Sequence, residues 1–164
     1  MGVIGLAVFE LGVLKNGLLL VKREYYDKLD RSIRVRHPQI IDGISKMASI
    51  ILKDSVKFMK FDDLMVAVYS SMTPLNGHAE SKYQRPSNFT IASYCIGDKA
   101  MMHHQIFPLL SRITQSFIRN FRPQLKNTKK IQDFDIYTTF SSEIDKILKD
   151  VQYTPIDRLK MGIL

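Results

Sequence analysis

The side chains with chemical potential in this chain are four histidines, one cysteine, two adjacent aspartates and an excess of basic groups. Their spacing decides which of them could act together. A zinc site needs several nitrogen or sulfur donors at fixed intervals, and His37, His78, Cys95 and His103 are dispersed. His103 and His104 are neighbours, and neighbours on a helix point about 100° apart, so they read as helix-entry histidines facing solvent or a sheet edge. A nucleophilic cysteine needs its pKa lowered by a helix N-terminus or a cation. Cys95 sits in a strand pattern and reads as a buried, inert thiol. Asp62-Asp63 lies between two strand patterns and reads as a turn, not as a paired acid and base. The eight glycines are scattered, so nucleotide hydrolysis and hydride transfer lack their usual phosphate cradle. The expectation is a non-enzymatic chain with no catalytic residue, metal or cofactor.

What remains is basic charge. Lys and Arg total 24 against 16 Asp and Glu, a formal charge of +8, which favours acidic partners. Lys22 and Arg23 end a strand pattern, and Arg31, Arg34, Arg36 and His37 follow in a polar stretch, residues 28–37, that reads as a loop. These groups either form a contiguous positive rim at one end of a sheet or are scattered solvated charges. A contiguous rim would meet an acidic protein or lipid headgroups, each basic group near an anionic membrane contributing on the order of 1 kcal/mol. Nucleic acid is not expected, because the aromatic residues are not interleaved with basic ones on a strand. Lys126, Lys129 and Lys130 read as a solvated connector.

The elements that must position these groups follow from periodicity. Residues 3–9 are nearly continuously apolar and read as a central strand. Asn16-Gly17 is a strong type I′ hairpin signal, with a return strand over residues 18–25. From Pro38, a good first-turn residue, to residue 53 the side chains Ile40, Ile41, Ile44, Met47, Ala48, Ile51 and Leu52 fall on one helical face, with Asp42, Lys46 and Lys53 on the other. Residues 56–61 and 64–70 predict two strands, residues 72–86 a long loop and residues 89–96 a fifth strand. A helix over residues 100–121 carries Ile106, Leu109, Leu110, Ile113, Phe117 and Phe121, closed by Arg122-Pro123, with Pro108 either a kink in its first turns or its true start. A last helix carries Phe140, Ile144, Ile147, Leu148 and Val151, with Ser141 or Thr139 as its cap. Met47, Met59, Met65, Met101 and Met102 read as flexible core filler.

A chain of 164 residues with 45% apolar content is one ordinary domain with a sizeable core. A single cysteine cannot form an internal bridge, which points to a reducing, cytosolic setting. The early apolar run stops at Glu10 without a basic flank, against a secretory signal, and is too short to span a bilayer. Leu6 stands where myristoylation expects Ser or Thr. Asn88-Phe89-Thr90 has the form of a glycosylation sequon but needs a secretory route to matter.

The element order, strand, strand, helix, three strands, helix, helix, resembles the longin fold. The likeness is carried by the hairpin Val8-Phe9-Glu10 through Asn16-Gly17-Leu18-Leu19-Leu20-Val21-Lys22-Arg23-Glu24-Tyr25. It is carried also by the terminal runs Phe117-Ile118-Arg119-Asn120-Phe121, Asp133-Phe134-Asp135, Phe140 and Glu143-Ile144-Asp145-Lys146-Ile147-Leu148. It covers about the whole chain. The connection between the fourth and fifth strands is longer than the family's usual turn, and the sister roadblock fold adds a helix before its first strand. The resemblance implies an α/β, profilin-like sandwich: a five-stranded antiparallel sheet with one helix on one face and two on the other. It implies a protein-interaction role in small-GTPase regulation or membrane trafficking, pairing with a small GTPase or another longin or roadblock subunit as a homo- or heterodimer. The partner-binding residues expected are Arg34, Arg36, Asp42, Lys46 and Lys53. Lys22, Arg23 and Arg31 are the candidates for an anionic surface in a chain that is cytoplasmic or peripheral at membranes. The alternatives are a peripheral membrane adaptor and a PAS-like sensor with a ligand pocket between sheet and helices.

Overall fold

The computed structural model describes residues 8–25, 31–50, 55–61, 64–74, 88–98, 103–126 and 135–151. Its strands are β1 (Val8–Lys15), β2 (Leu18–Glu24), β3 (Ser55–Phe61), β4 (Leu64–Pro74) and β5 (Asn88–Asp98). Its helices are α1 (Arg31–Ile50), α2 (His103–Lys126), the single turn α3 (Asp135–Thr138) and α4 (Ser141–Val151). The strands form one antiparallel sheet in the order β2-β1-β5-β4-β3. Helix α1 covers one face, and α2 with α4 covers the other. This is the α/β sandwich expected, five antiparallel strands with one helix against two.

Side-chain alternation builds the two faces. Val66, Val68, Ala92, Tyr94, Ile96 and Leu14 point towards α1 and meet Ile40, Ile44 and Ala48. Leu11, Val13, Ala67, Tyr69, Ile91 and Cys95 point the other way, against the stripes of α2 and α4. The hairpin turns as its residues require: Asn16 and Gly17 both have positive φ, 48° and 82°, the type I′ signature. Met47, Met59 and Met65 are half-buried against the core, while Met101 and Met102 lie outside the described residues, as does the turn pair Asp62-Asp63.

Four boundaries differ from expectation, each for a tertiary reason. Of the first strand read at residues 3–9, only 8 and 9 lie within the described residues, and the paired strand is β1, because its register follows the turn at Asn16. Strand β4 continues through Met72 to Pro74, into the predicted loop. It passes the end of β3 at Ser70, so beyond that point one side of β4 has no strand neighbour among the described residues, and proline is tolerated there. Helix α2 runs to Lys126, but its path breaks at Phe121 (φ −118°, ψ 15°), two residues before Pro123. The hydroxyls of Thr138, Thr139, Ser141 and Ser142 donate back to the carbonyls three residues earlier, at 2.6 to 3.1 Å. The cap expected of Ser141 or Thr139 is replaced by this ladder, since α3 runs almost directly into α4 and offers carbonyls that need donors.

A fifth difference bears on the site. Helix α1 starts at Arg31, so Arg31, Arg34 and Arg36 are helical and Pro38 lies in the helix interior rather than in its first turn. Proline there forfeits the hydrogen bond to the carbonyl four residues back.

Candidate functional site

The polar chemistry of the molecule concentrates where α1 crosses β1. Glu10 is on the α1 face of β1 and is fully buried. A buried carboxylate is costly unless it is hydrogen-bonded, and the fold supplies the donors. The Nε2–H of His37, one residue before Pro38, donates to both carboxylate oxygens, at 2.9 and 3.0 Å. The Tyr94 hydroxyl, from β5, donates to Glu10 Oε1. Tyr94 is itself fully buried and stands opposite Gly12 in the ladder. A Cβ at position 12 would overlap the Tyr94 ring, so glycine there lets the ring lie across β1 and its hydroxyl reach Glu10. The His37 side chain keeps 21% exposure, which makes it the solvent-facing member of the group. A carboxylate that fixes one imidazole nitrogen in this way orients the ring and selects its tautomer.

The surroundings are charged on the β2 side. Glu24 stands opposite Glu10, and Lys22 opposite Gly12; Lys22 and Glu24 pair across the strand surface at 2.8 Å. Arg23 stands opposite Leu11 and therefore points to the other face. There its Nε–H donates to Asp145 of α4 at 3.0 Å, a bond that raises its pKa further. The Tyr25 hydroxyl donates to the same carboxylate oxygen at 2.7 Å. Burial first, and then this carboxylate, push the Tyr25 pKa up.

Lys22 and Arg23 thus answer to acids on opposite faces of the sheet, and the structure does not bring them together as one rim. Arg34 and Arg36 are two positions apart on α1, about 200° around its axis, so they sit on nearly opposite sides of the helix; their side chains and that of Arg31 lie outside the described residues. Asp42 and Lys46 are exposed on the outer face of α1 and pair at 2.7 Å. Lys53 lies outside the described residues. A pocket of about 300 Å³ opens at the hairpin end of α1, lined by Asn16, Gly17, Ser45, Ala48, Thr90 and Ala92.

Cys95, His103 and His104 stand as their patterns indicated, and His78 lies outside the described residues. Cys95 is fully buried in β5, and burial raises its thiol pKa, which disfavours the nucleophilic thiolate. His103 and His104 are exposed at the entry of α2, with His103 stacked on Phe107 at 5.6 Å. Among the described residues no group of three or more His, Cys, Asp and Glu side chains could hold a metal ion, and no helix is long and apolar enough to cross a membrane.

Glu10, Gly12 and Tyr94 carry no motif in the sequence, and His37 stood there among the dispersed metal-type donors and the basic residues. The one available signal was Glu10 itself, an acid within an otherwise apolar strand. Its partners lie 27 and 84 residues away. No family model matches this chain, and no curated protein matches it.

Proposed function

We propose that the chain is a non-enzymatic, longin-like interaction domain acting in small-GTPase regulation or membrane trafficking, where it pairs with a second longin or roadblock-type subunit. The observation that carries this reading is the sheet order β2-β1-β5-β4-β3 with one helix against two. It is the architecture that the resemblance of the opening hairpin and terminal helices implies. Both faces are occupied by the chain's own helices, which leaves the edge strands β2 and β3 and the outer side of α1 to meet a partner. Edge strands offer unpaired N–H and C=O groups to a further strand. Arg34, Arg36, Asp42 and Lys46 are the residues through which α1 would contribute, together with Lys53 from the sequence that follows it. The centre of the layer where a PAS-type sensor would hold its ligand is filled here by Leu14, Val68, Tyr94, Ile40 and Ile44, and the pocket of about 300 Å³ opens only at its hairpin end; the filled centre favours the interaction reading.

The test is the absolute molar mass of the full chain in solution, alone and mixed with small GTPases in their GDP and GTP-analogue states. A dimer, or a complex formed in one nucleotide state and lost on reversing Arg34 and Arg36 to Glu, supports the reading. A monomer that ignores every GTPase and every longin or roadblock subunit overturns it. Salt-sensitive binding of that monomer to anionic vesicles would then favour the peripheral adaptor.

A further inference from the structure

Helix α1 is continuous from Arg31 to Ile50, and on the two sides of Pro38 its described side chains make different contacts. From Ile40 onward it is docked by Ile40, Ile44 and Ala48, all buried against β4 and β5, and by the Ser45 hydroxyl, which donates to the Gly17 carbonyl at 2.8 Å. At Pro38 the helical ladder is interrupted, because proline has no N–H to give the Arg34 carbonyl. On the N-terminal side of that interruption, His37 holds the carboxylate of Glu10, which Tyr94 holds from the opposite side.

We propose that the first turns of α1 form a releasable segment hinged at Pro38, with the Glu10–His37–Tyr94 cluster as its latch. Three features make the latch poised rather than permanent. The hinge already lacks one helical hydrogen bond, so separating the turns on its two sides breaks fewer backbone bonds than opening elsewhere in the helix. The exposed edge of His37 admits water at the start of opening. Opening also lets water reach a carboxylate that is otherwise fully buried, and the hydration it regains offsets part of the contact that is lost. Gly12 is the device that sets the latch, since the Tyr94 hydroxyl reaches Glu10 only because position 12 has no Cβ. Release would present the turns carrying Arg34 and Arg36 apart from the sheet. The inference rests on the helix and the cluster alone and stands or falls independently of the partner reading.

Amide hydrogen exchange of the full chain by NMR tests it. Val35, Arg36 and His37 are the amides that close hydrogen bonds within the first turns, and Ile44 to Ala48 report the docked part. The expected result is faster exchange at residues 35–37 than at 44–48 in the native chain. Tyr94→Phe, which keeps the ring and removes the donor to Glu10, is expected to speed exchange at 35–37 by about tenfold and to leave 44–48 unchanged, as loss of a buried hydrogen bond implies. Ser45→Ala is expected to do the reverse, loosening 44–48 and not 35–37. Should Tyr94→Phe speed all of α1 equally, the helix opens as one body and the proposal fails; no change at 35–37 also overturns it. His37→Gln gives a second, independent reading of the same outcomes if Tyr94→Phe perturbs the fold.

Discussion

On the α2 and α4 side of the sheet, Phe117 meets the rings of Phe121, Tyr137 and Phe140 at 4.9, 5.6 and 5.1 Å. Apolar stripes from two helices close over five strands there. On the α1 side a single helix supplies, among its described side chains, three buried apolar residues, and the space towards β1 goes to Glu10, His37 and Tyr94. The first face is a hydrophobic core in the ordinary sense, non-directional and roughly proportional to buried area. The second is held in part by groups whose geometry must be right, since a hydrogen-bonded cluster binds in one arrangement and a buried polar group left unpaired is penalised. The thick face secures the fold, and the thin face fixes where one helix lies.

The comparison can be broken most severely at Phe117. Phe117→Ala removes the ring at the centre of the aromatic group and is expected to cost about 3 to 5 kcal/mol, read as a lowered urea midpoint. A loss under about 1 kcal/mol would mean that the thick face is not where stability resides. Gly12→Ala comes next. Its Cβ would force the Tyr94 ring aside, and overpacking of this kind costs about 1 to 3 kcal/mol. Combined with Tyr94→Phe, its effect should fall short of the sum of the two, because both act on the same hydroxyl. Full additivity in that double-mutant cycle would show that Gly12 does not serve the cluster.

A pH series sharpens the comparison from the thick face. Burial raises the Cys95 thiol above its ordinary value. Below the ordinary thiol range both folded and unfolded chains carry the proton, and the contribution of Cys95 is constant. Above it the unfolded chain gives up its proton while the folded one keeps it, so stability is lost as pH rises towards the folded value. Denaturant midpoints of the native chain are expected to fall beyond about pH 9, and those of Cys95→Ala to fall less steeply. Parallel pH profiles would remove Cys95 from the account. The smallest effect is expected at Lys46, whose exposed pair with Asp42 contributes less than about 0.5 kcal/mol. Lys46→Ala should leave the thermal midpoint nearly unchanged, so that any loss of partner binding in that variant reports contact, not folding.

Much of the thick face was legible in the sequence. The stripe of α2, the stripe of α4 and the positive φ of Asn16-Gly17 are local patterns, because a helix repeats every 3.6 residues and a hairpin turn is set by the two residues at its tip. Residues 64–70 and 89–96 were legible as strands, and pairing in the sheet decided which of their side chains share a face. Even the expected burial of Cys95 followed from its strand. The failures lie elsewhere, at the start of α1 and the reach of β4 past Ser70, and of the two readings left open for the basic groups the structure separates Lys22 from Arg23. The sequence places Lys22 and Arg23 side by side, whereas period-two alternation sends one to Glu24 and the other to Asp145.

By itself, then, the order of residues determined the elements, the turn between β1 and β2 and the apolar faces, since each depends on neighbours within a few positions. Only the tertiary structure decided that Glu10, an acid in an apolar strand, is answered by His37 and Tyr94, that Gly12 makes room for the Tyr94 ring and that α1 begins before its proline. These depend on contacts between residues 27 and 84 positions apart, and a hydrogen bond of that reach has no period or motif along the chain. It comes into being when strand register and helix docking bring donor and acceptor within 3 Å of each other.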